Sequence, residues 1–310
     1  MESRAIGSLA ASIIGLGCNN FGRRVTEGSR VQAVVDAAVD AGITFFDTAD
    51  IYGGTKSEEM LGQTLGSRRE NVLIATKFGM PVDDERKGAK PDYVRRAAED
   101  SLRRLGTDRI DLYQLHQPDP DTPIADTLGA LDELVRAGKV REIGCSNFSA
   151  EQLREAETAA GSGARFVSVQ NEYNLFLREP EEDGVLDECL RQGLAFIPYS
   201  PLESGVLTGK YRAGEEPPQG TRLAGFDADE VRELLAKDRL AAVDRLAAWA
   251  TDHGRPVSEL AIAWLLAQRP VATVIAGATS PEQVRENVAA GDWRLDGGDL
   301  KQVGAALAGS

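Results

Sequence analysis

The chain has 310 residues, 42% hydrophobic and 27% charged, a length that suits either two average domains or one α/β barrel. Its 49 acidic residues against 35 basic ones leave a formal net charge of −14, which repels nucleic-acid phosphates and acidic lipid surfaces, so any bound anion has to be held by a local site. Cys18, Cys145 and Cys189 are scattered and form no CxxC pair, which excludes a zinc ribbon and points to reduced thiols in a cytoplasmic protein. The first residues show no basic segment leading into an apolar core. The longest unbroken apolar run, Leu260 to Ala267, is too short to span a bilayer, so neither secretion by that route nor membrane insertion is expected.

In chain order, Met1–Ala11 is expected to form a short hairpin under the fold. Eight short apolar runs then follow: Ile13–Leu16, Ile43–Phe46, Val72–Thr76, Ile110–Leu115, Val140–Gly144, Phe166–Val169, Leu194–Pro198 and Val271–Ala276. The first seven start about 30 residues apart, the repeat of a strand, a helix and two connections. Nearly continuous apolar strands are buried on both faces, as in parallel sheets. Between them, Arg30–Ala41, Pro91–Leu105, Ile124–Ala137 and Ser149–Ala160 carry apolar residues at three- and four-residue spacing and read as outer helices. Ser149 with Gln152 three residues on reads as a capping box, and Ser280-Pro281-Glu282 as a helix start. The interval from Pro201 to Pro270 is too long for one crossover. It reads as a long loop followed by two helical patterns, Asp229–Thr251 and Val257–Gln268, and Asp299–Ala308 as a terminal helix. Eight strand–helix units in one series predict a single (β/α)8 barrel over residues 1–310, with a long loop and an extra helix before the last strand.

Barrels of this kind place their sites at the carboxyl ends of the strands. Here the apolar runs end in Asp47, Lys77, His116, Ser146-Asn147, Gln170, Tyr199-Ser200 and Gly277. Burial ends at strand ends in any protein, but a whole set with titratable or hydrogen-bonding chemistry is more than that accounts for. A lone histidine is more often structural than catalytic. His116 differs from His253, which falls in an Asp-His-Gly turn, because it closes a strand. Lys77 would point an ammonium into an apolar mouth, which is costly unless Asp47 on the next strand pairs with it. Tyr52 brings a phenol to the same pocket. Moving a phenol from about 10 to about 7 needs roughly 4 kcal/mol, and one ammonium at about 4 Å supplies that in an effective dielectric of about 20. Lys77 is thus expected to lower the Tyr52 pKa.

With these residues in place, the segments Phe46-Asp47-Thr48-Ala49-Asp50-Ile51-Tyr52-Gly53, Ala75-Thr76-Lys77, Leu115-His116 and Gly144-Cys145-Ser146-Asn147-Phe148 resemble the aldo-keto reductases. So do Gln170-Asn171-Glu172-Tyr173, Pro198-Tyr199-Ser200-Pro201-Leu202 through Gly209-Lys210-Tyr211, and Gly277-Ala278-Thr279 through Glu286-Asn287. The resemblance runs in order from Gly15 to Asn287. It implies an Asp-Tyr-Lys-His tetrad on Asp47, Tyr52, Lys77 and His116, with Tyr52 as general acid in reducing an aldehyde or ketone with NADPH. It implies no metal.

By position, the resemblance puts the nicotinamide carboxamide at Ser146, Asn147 and Gln170, with Tyr199 against the ring and Gly17, Cys18 and Asn19 beside it. The pyrophosphate would lie along Ser200, Pro201, Leu202, Ser204 and Gly205, with charge from Lys210 and Arg222. The adenosine end would meet Gly277, Thr279, Gln283, Glu286 and Asn287, where a helix N-terminus favours phosphate. Gln283 replaces an Arg that many relatives pair with the 2′-phosphate of NADP, and Gly277 a Lys of some branches; NADP is still expected because Thr279, Ser280, Lys210 and Arg222 offer partners to that phosphate, with tolerance of NAD.

Other motifs fall away. Gly15-Leu16-Gly17 starts a dinucleotide fingerprint, but the third glycine is misplaced; Gly53-Gly54-Thr55-Lys56-Ser57 lacks the glycine a phosphate loop needs; and Asn147-Phe148-Ser149 is a sequon only if secreted. Two alternatives stay open: an alcohol or sugar-alcohol dehydrogenase using the same residues, and a nucleotide-sensing accessory subunit with little turnover. Phe21, Tyr52, Phe78 and Trp293 are candidates for an apolar substrate pocket. Protein partners are not legible, and a small carbonyl compound is the expected substrate.

Overall fold

The computed structural model describes residues 1–309. An antiparallel hairpin, β1 (Ser3–Ile6) and β2 (Leu9–Ser12), precedes eight parallel strands. These are β3 (Ile14–Gly17), β4 (Phe45–Asp47), β5 (Leu73–Phe78), β6 (Ile110–Leu115), β7 (Val140–Ser146), β8 (Phe166–Gln170), β9 (Ala195–Phe196) and β10 (Val274–Gly277). Their order is β10-β3-β4-β5-β6-β7-β8-β9. The ring closes through the chain just before β10: the Phe196 amide donates to the Pro270 carbonyl (2.8 Å), Ala272 N to Phe196 O (3.0 Å) and Ile275 N to Pro198 O (3.2 Å). The expected (β/α)8 barrel is the observed fold.

Outside the strands lie α1 (Gly28–Asp40), α2 (Lys56–Leu65), α3 (Pro91–Leu105), α4 (Ile124–Arg136), α5 (Ala150–Ala160), α6 (Glu179–Glu182) and α7 (Val185–Gln192). After the seventh barrel strand come α8 (Ala228–Leu234), α9 (Lys237–Asp252) and α10 (Val257–Leu266), then α11 (Pro281–Ala289) and α12 (Gly297–Ala308). Ser149 accepts from the Gln152 amide while the Gln152 side chain accepts from Ser149 N, the reciprocal cap that the spacing indicates. The pattern Asp229–Thr251 is not one helix. It breaks at Leu235-Ala236, and a second capping box, Asp227 with Glu230, starts the shorter piece. No helix among the described residues is long and apolar enough to cross a membrane.

Two concentric apolar layers hold the barrel. Phe45, Ala75, Leu112, Ala195, Ile197, Ala272 and Ile275 fill its interior together with Ile6, Leu9 and Ala11 of the hairpin, so the hairpin plugs the floor. Residues of opposite parity, such as Phe46, Ile74 and Tyr113, pack outward against the helices. A strand's side chains alternate faces with period two, so the inward parity of Phe45, Ala75 and Leu112 also sends Asp47, Lys77 and Gln114 inward. Gly15 and Gly17 share that inner face: a Cβ on Gly15 would come 3.0 Å from the Phe45 ring and one on Gly17 2.9 Å from Ile275. The Gly-Leu-Gly pair makes room in the barrel and has no part in a phosphate loop.

Candidate active site

At the carboxyl end of the barrel, β4 and β5 set Asp47 and Lys77 side by side in register, Asp47 opposite Ala75. Lys77 is fully buried; its Nζ donates to Asp47 Oδ2 (2.6 Å), to the Thr48 carbonyl (2.9 Å) and to Tyr52 Oη (3.5 Å). The other carboxylate oxygen of Asp47 accepts from Gln170 Nε2 (2.9 Å) and Gln114 Nε2 (3.4 Å). Burial works against the Lys77 charge, but Asp47 and then Tyr52 outweigh it and hold the ammonium above its ordinary pKa. Tyr52 reaches the same point from a loop clipped to β5, with Thr48 N on Ala75 O (2.8 Å) and Asp50 N on Lys77 O (3.0 Å).

The expectation for the Tyr52 phenol is corrected in sign. Burial pushes its pKa up, the Lys77 ammonium pulls it down, and Asp47 pushes it up again, for a net rise. An argument from Lys77 alone omits both the burial and the counter-charge that Lys77 itself requires. Tyr52 therefore keeps its proton at neutral pH. His116 sits edge-on to its ring, centroids 5.7 Å apart. Burial, helped by the Lys77 charge, pushes the His116 pKa down to about 3, so the imidazole is neutral under all ordinary conditions.

Next to the tetrad, Ser146 Oγ donates to the Gln170 carbonyl (2.6 Å), Asn147 Nδ2 to the His116 carbonyl (3.0 Å), and the Tyr199 hydroxyl to Asn147 Oδ1 (2.9 Å). Asn147 holds this position with a left-handed φ of 61°. Gln170 thus serves Asp47 as well as lining the mouth. Pro201 is buried beneath a turn in which Ser200, Glu203, Ser204 and Gly205 take φ values of 54°, 46°, 53° and 94°. In that turn the amides of Leu202 and Ser204 have no backbone partner, whereas Gly205 N is spent on the Leu202 carbonyl (2.8 Å). Gly205 is not a donor here. It makes space, since a Cβ would lie 2.8 Å from Lys210 Nζ.

Residues 13–308 of the chain match the model of the Aldo/keto reductase family. The chain belongs to the aldo/keto reductase family. It is 34% identical to the aldo-keto reductase yakc [NADP(+)] of Schizosaccharomyces pombe, over 98% of this chain and 90% of that one. It is also 34% identical to a probable voltage-gated potassium channel subunit beta of Oryza sativa, over 88% of this chain and 87% of that one. In structure it is similar to a glycerol dehydrogenase of Gluconobacter oxydans, with a TM-score of 0.86, 31% identity, and cover of 99% of this chain and 95% of the other. As a member of this family it is an oxidoreductase acting on carbonyl and alcohol groups.

Gly17 and Gly277 pair across β3 and β10. Cys18 is wholly buried, its Sγ aimed at the Leu16 carbonyl (3.7 Å), so it lies beneath the site and does not line it. Gln283 folds back to accept from Thr279 N (2.8 Å) and Thr279 Oγ1 (3.1 Å) at the start of α11, with Glu286 exposed and Asn287 buried. Lys210 and Arg222 stand near Arg23 and Arg24, and none of the four forms an ion pair among the described residues. Burial and then that mutual repulsion lower the pKa of Arg222, and burial with Arg24 lowers that of Lys210. Arg24 Nη2 also donates to the Gly220 carbonyl (2.6 Å), tying the loop after β3 to the long insertion across the mouth.

Three of the apolar pocket candidates are elsewhere. Phe21 and Phe78 are core, the latter stacked on Tyr113 at 4.7 Å, and Trp293 stacks on Trp249 (5.9 Å) on the outer face. Reasoning from strand ends misses Gln114, which ends no strand but has inward parity two residues before His116. It also misses Arg23 and Arg24, which look like ordinary surface charge.

Proposed function

We propose that the chain is an NADPH-dependent reductase of an aldehyde or ketone in which Tyr52 is the general acid. The observation that carries this reading is the Tyr52 hydroxyl 3.5 Å from the fully buried Lys77 Nζ and edge-on to the His116 ring; burial holds the phenol pKa up and the imidazole pKa down, which suits a proton donor beside a neutral imidazole. When bound, the dinucleotide supplies a hydride to the carbonyl carbon. Tyr52 gives its proton to the carbonyl oxygen, forming the O–H bond of the alcohol; Lys77 stabilises the phenolate left behind, which takes a proton back from solvent. His116, neutral, orients the carbonyl by donating a hydrogen bond. Asp47 keeps Lys77 charged and in place, and Gln114 and Gln170 keep Asp47 in place.

The residues present fit the dinucleotide. Four unpaired cations gathered on a chain of net charge −14, and two free amides in a strained turn, are costly unless an anion satisfies them. Lys210, Arg222, Leu202 and Ser204 would hold the pyrophosphate, Ser146, Asn147 and Gln170 the carboxamide, Tyr199 the ring, and Thr279, Gln283, Glu286 and Asn287 the adenosine end. NADP is favoured by the NADP(+) in the name of the fission-yeast relative and by Arg23 and Arg24. NAD is tolerated because Gln283 offers no charge.

The glycerol dehydrogenase likeness supports the reverse direction as a second use of the same site, with Tyr52 as base. The likeness to the rice channel subunit supports a sensing role only if turnover is negligible. The test is a panel of aldehydes, diketones, sugars and pyridoxal with NADPH and with NADH. Turnover of at least one carbonyl with tighter NADPH than NADH binding is expected; no turnover, together with a stoichiometric protein partner, would favour the sensing role.

A further inference from the structure

Behind the loop that carries Tyr52 lies a second buried polar cluster that the reductase reading does not use. Asp50 is 2% exposed and turns its carboxyl away from the mouth, between α2 and α3. Oδ2 accepts one hydrogen bond, from the Tyr93 hydroxyl at 3.3 Å, and Oδ1 has no partner. The Ile51 amide lies close by. Asp50 faces a cavity of about 10 Å³, room for about one water, lined also by Thr55, Val82, Arg86, Ala97 and Asp100.

The charges around it do not balance an aspartate anion. From α2 the buried Glu58 faces the same space, held by Thr76 Oγ1 (2.6 Å) and Arg104 Nε (2.6 Å). Arg104, from α3, is therefore already neutralised, and its Nη2 is turned to Ser101 Oγ (3.3 Å). Tyr93 and Asp100 also come from α3, and the Tyr113 hydroxyl comes from β6 without a partner. Arg86, from the loop before α3, is engaged with Asp83. On the β5 side Lys77 is committed to Asp47. An ionised Asp50 would be a second carboxylate beside Glu58 with one long side-chain hydrogen bond and no unpaired cation to answer it, whereas a protonated one is tolerated in a buried cleft with room for about one water. Consistently, burial and then Glu58 push the Asp50 pKa up to about 7.

We propose that Asp50 is a positioning residue that keeps the Tyr52 loop seated only while its carboxyl carries a proton, so that ionisation of Asp50, before that of Tyr52, sets the alkaline limit of turnover. The coupling is short. Asp50 N is bonded to the Lys77 carbonyl, Tyr52 N to the Ala49 carbonyl (3.2 Å) and Ser57 N to the Tyr52 carbonyl (3.2 Å). A charged Asp50 must draw toward water through the cavity and moves the segment that fixes the Lys77 to Tyr52 distance. This rests on the reading of Tyr52 as the acid.

The sign for stability follows from the same site. With a folded pKa of about 7 against 3.8 in the unfolded chain, the folded state holds the proton more tightly between these values. The contribution is whole below about pH 4 and is lost as pH rises through about 7.

The experiment measures kcat for carbonyl reduction at saturating NADPH from about pH 5.5 to 9.5, and Tm from about pH 4 to 8, in wild type, Asp50→Asn and Tyr93→Phe. Wild type should lose at least about threefold in kcat across neutrality, Asp50→Asn should lose nothing there, and the Tm difference between the two should widen in favour of Asn up to about pH 7 and then stay level. Tyr93→Phe removes the one side-chain donor to the ionised carboxyl and should move the wild-type break to higher pH, which decides the matter if the Asn variant does not fold. A wild-type profile flat through neutrality, or the same break in Asp50→Asn or Tyr93→Phe, overturns the proposal. A Tyr52→Phe variant as active as wild type would instead remove the acid on which the proposal rests, and the Tm profiles still report Asp50 without any activity.

Discussion

The two ends of the barrel use charge in opposite ways. At the floor, Asp111 is fully buried and fully answered: Arg69 Nη2 at 2.8 Å on one oxygen with the Ile74 amide at 2.9 Å, and Arg141 Nη1 at 2.8 Å on the other. Arg69 spends its other donors on the carbonyls of Val72 (3.0 Å) and Arg109 (2.8 Å) and on Thr107 Oγ1 (3.0 Å). At the mouth, Arg23, Arg24, Lys210 and Arg222 repel one another with no carboxylate in bonding range. A charge network with every partner present is a device for holding strands; one with partners missing is a device for holding a ligand.

Replacing Lys77 by Met should have the largest effect. Turnover should fall by at least about 100-fold, the scale of acid–base catalysis, because the phenolate formed from Tyr52 loses its counter-charge. Equal activity in that variant would erase the functional half of the contrast. At the floor, Asp111→Ala strands the buried Arg69 guanidinium and should cost about 3–5 kcal/mol in urea unfolding while leaving kcat of the folded enzyme close to wild type. A variant as stable as wild type would mean that the floor network holds nothing.

How much of this was legible in the sequence depends on whether the partners are neighbours along the chain or only in space. Ile110–Leu115 and Pro91–Leu105 match observed elements because apolar periodicity and the proline start are local. So is the Ser149–Gln152 cap. The break between α8 and α9 was hidden because Leu234, Leu235 and Leu240 continue the apolar spacing, and Ala236 at the second start carries no capping side chain. In the site, Asp47, Lys77 and His116 announce themselves as polar residues ending apolar strands. The upward shift of Tyr52 and the isolation of Asp50 do not, since both depend on what α2, α3 and the opposing strands bring to the same few ångströms.

Smaller effects sharpen the mouth. Arg222→Ala should weaken NADPH binding by roughly tenfold, an ion-pair-sized loss, and should leave Tm unchanged or raised because it removes like-charge repulsion. Fluorescence quenching by NADPH checks this, and unchanged affinity would show that the cations are plain surface charge. Gln283→Arg should shift the preference toward NADPH over NADH by about fivefold, since it adds a guanidinium near the start of α11; a shift toward NADH would place the adenosine end elsewhere.

The most direct measurement is a single-turnover reduction followed by stopped flow, comparing wild type with Tyr52→Phe, with NADPH affinity measured on both. The account predicts a loss of at least about 100-fold in the reduction rate with NADPH binding retained. A Phe variant that reduces the carbonyl at near the wild-type rate would contradict it.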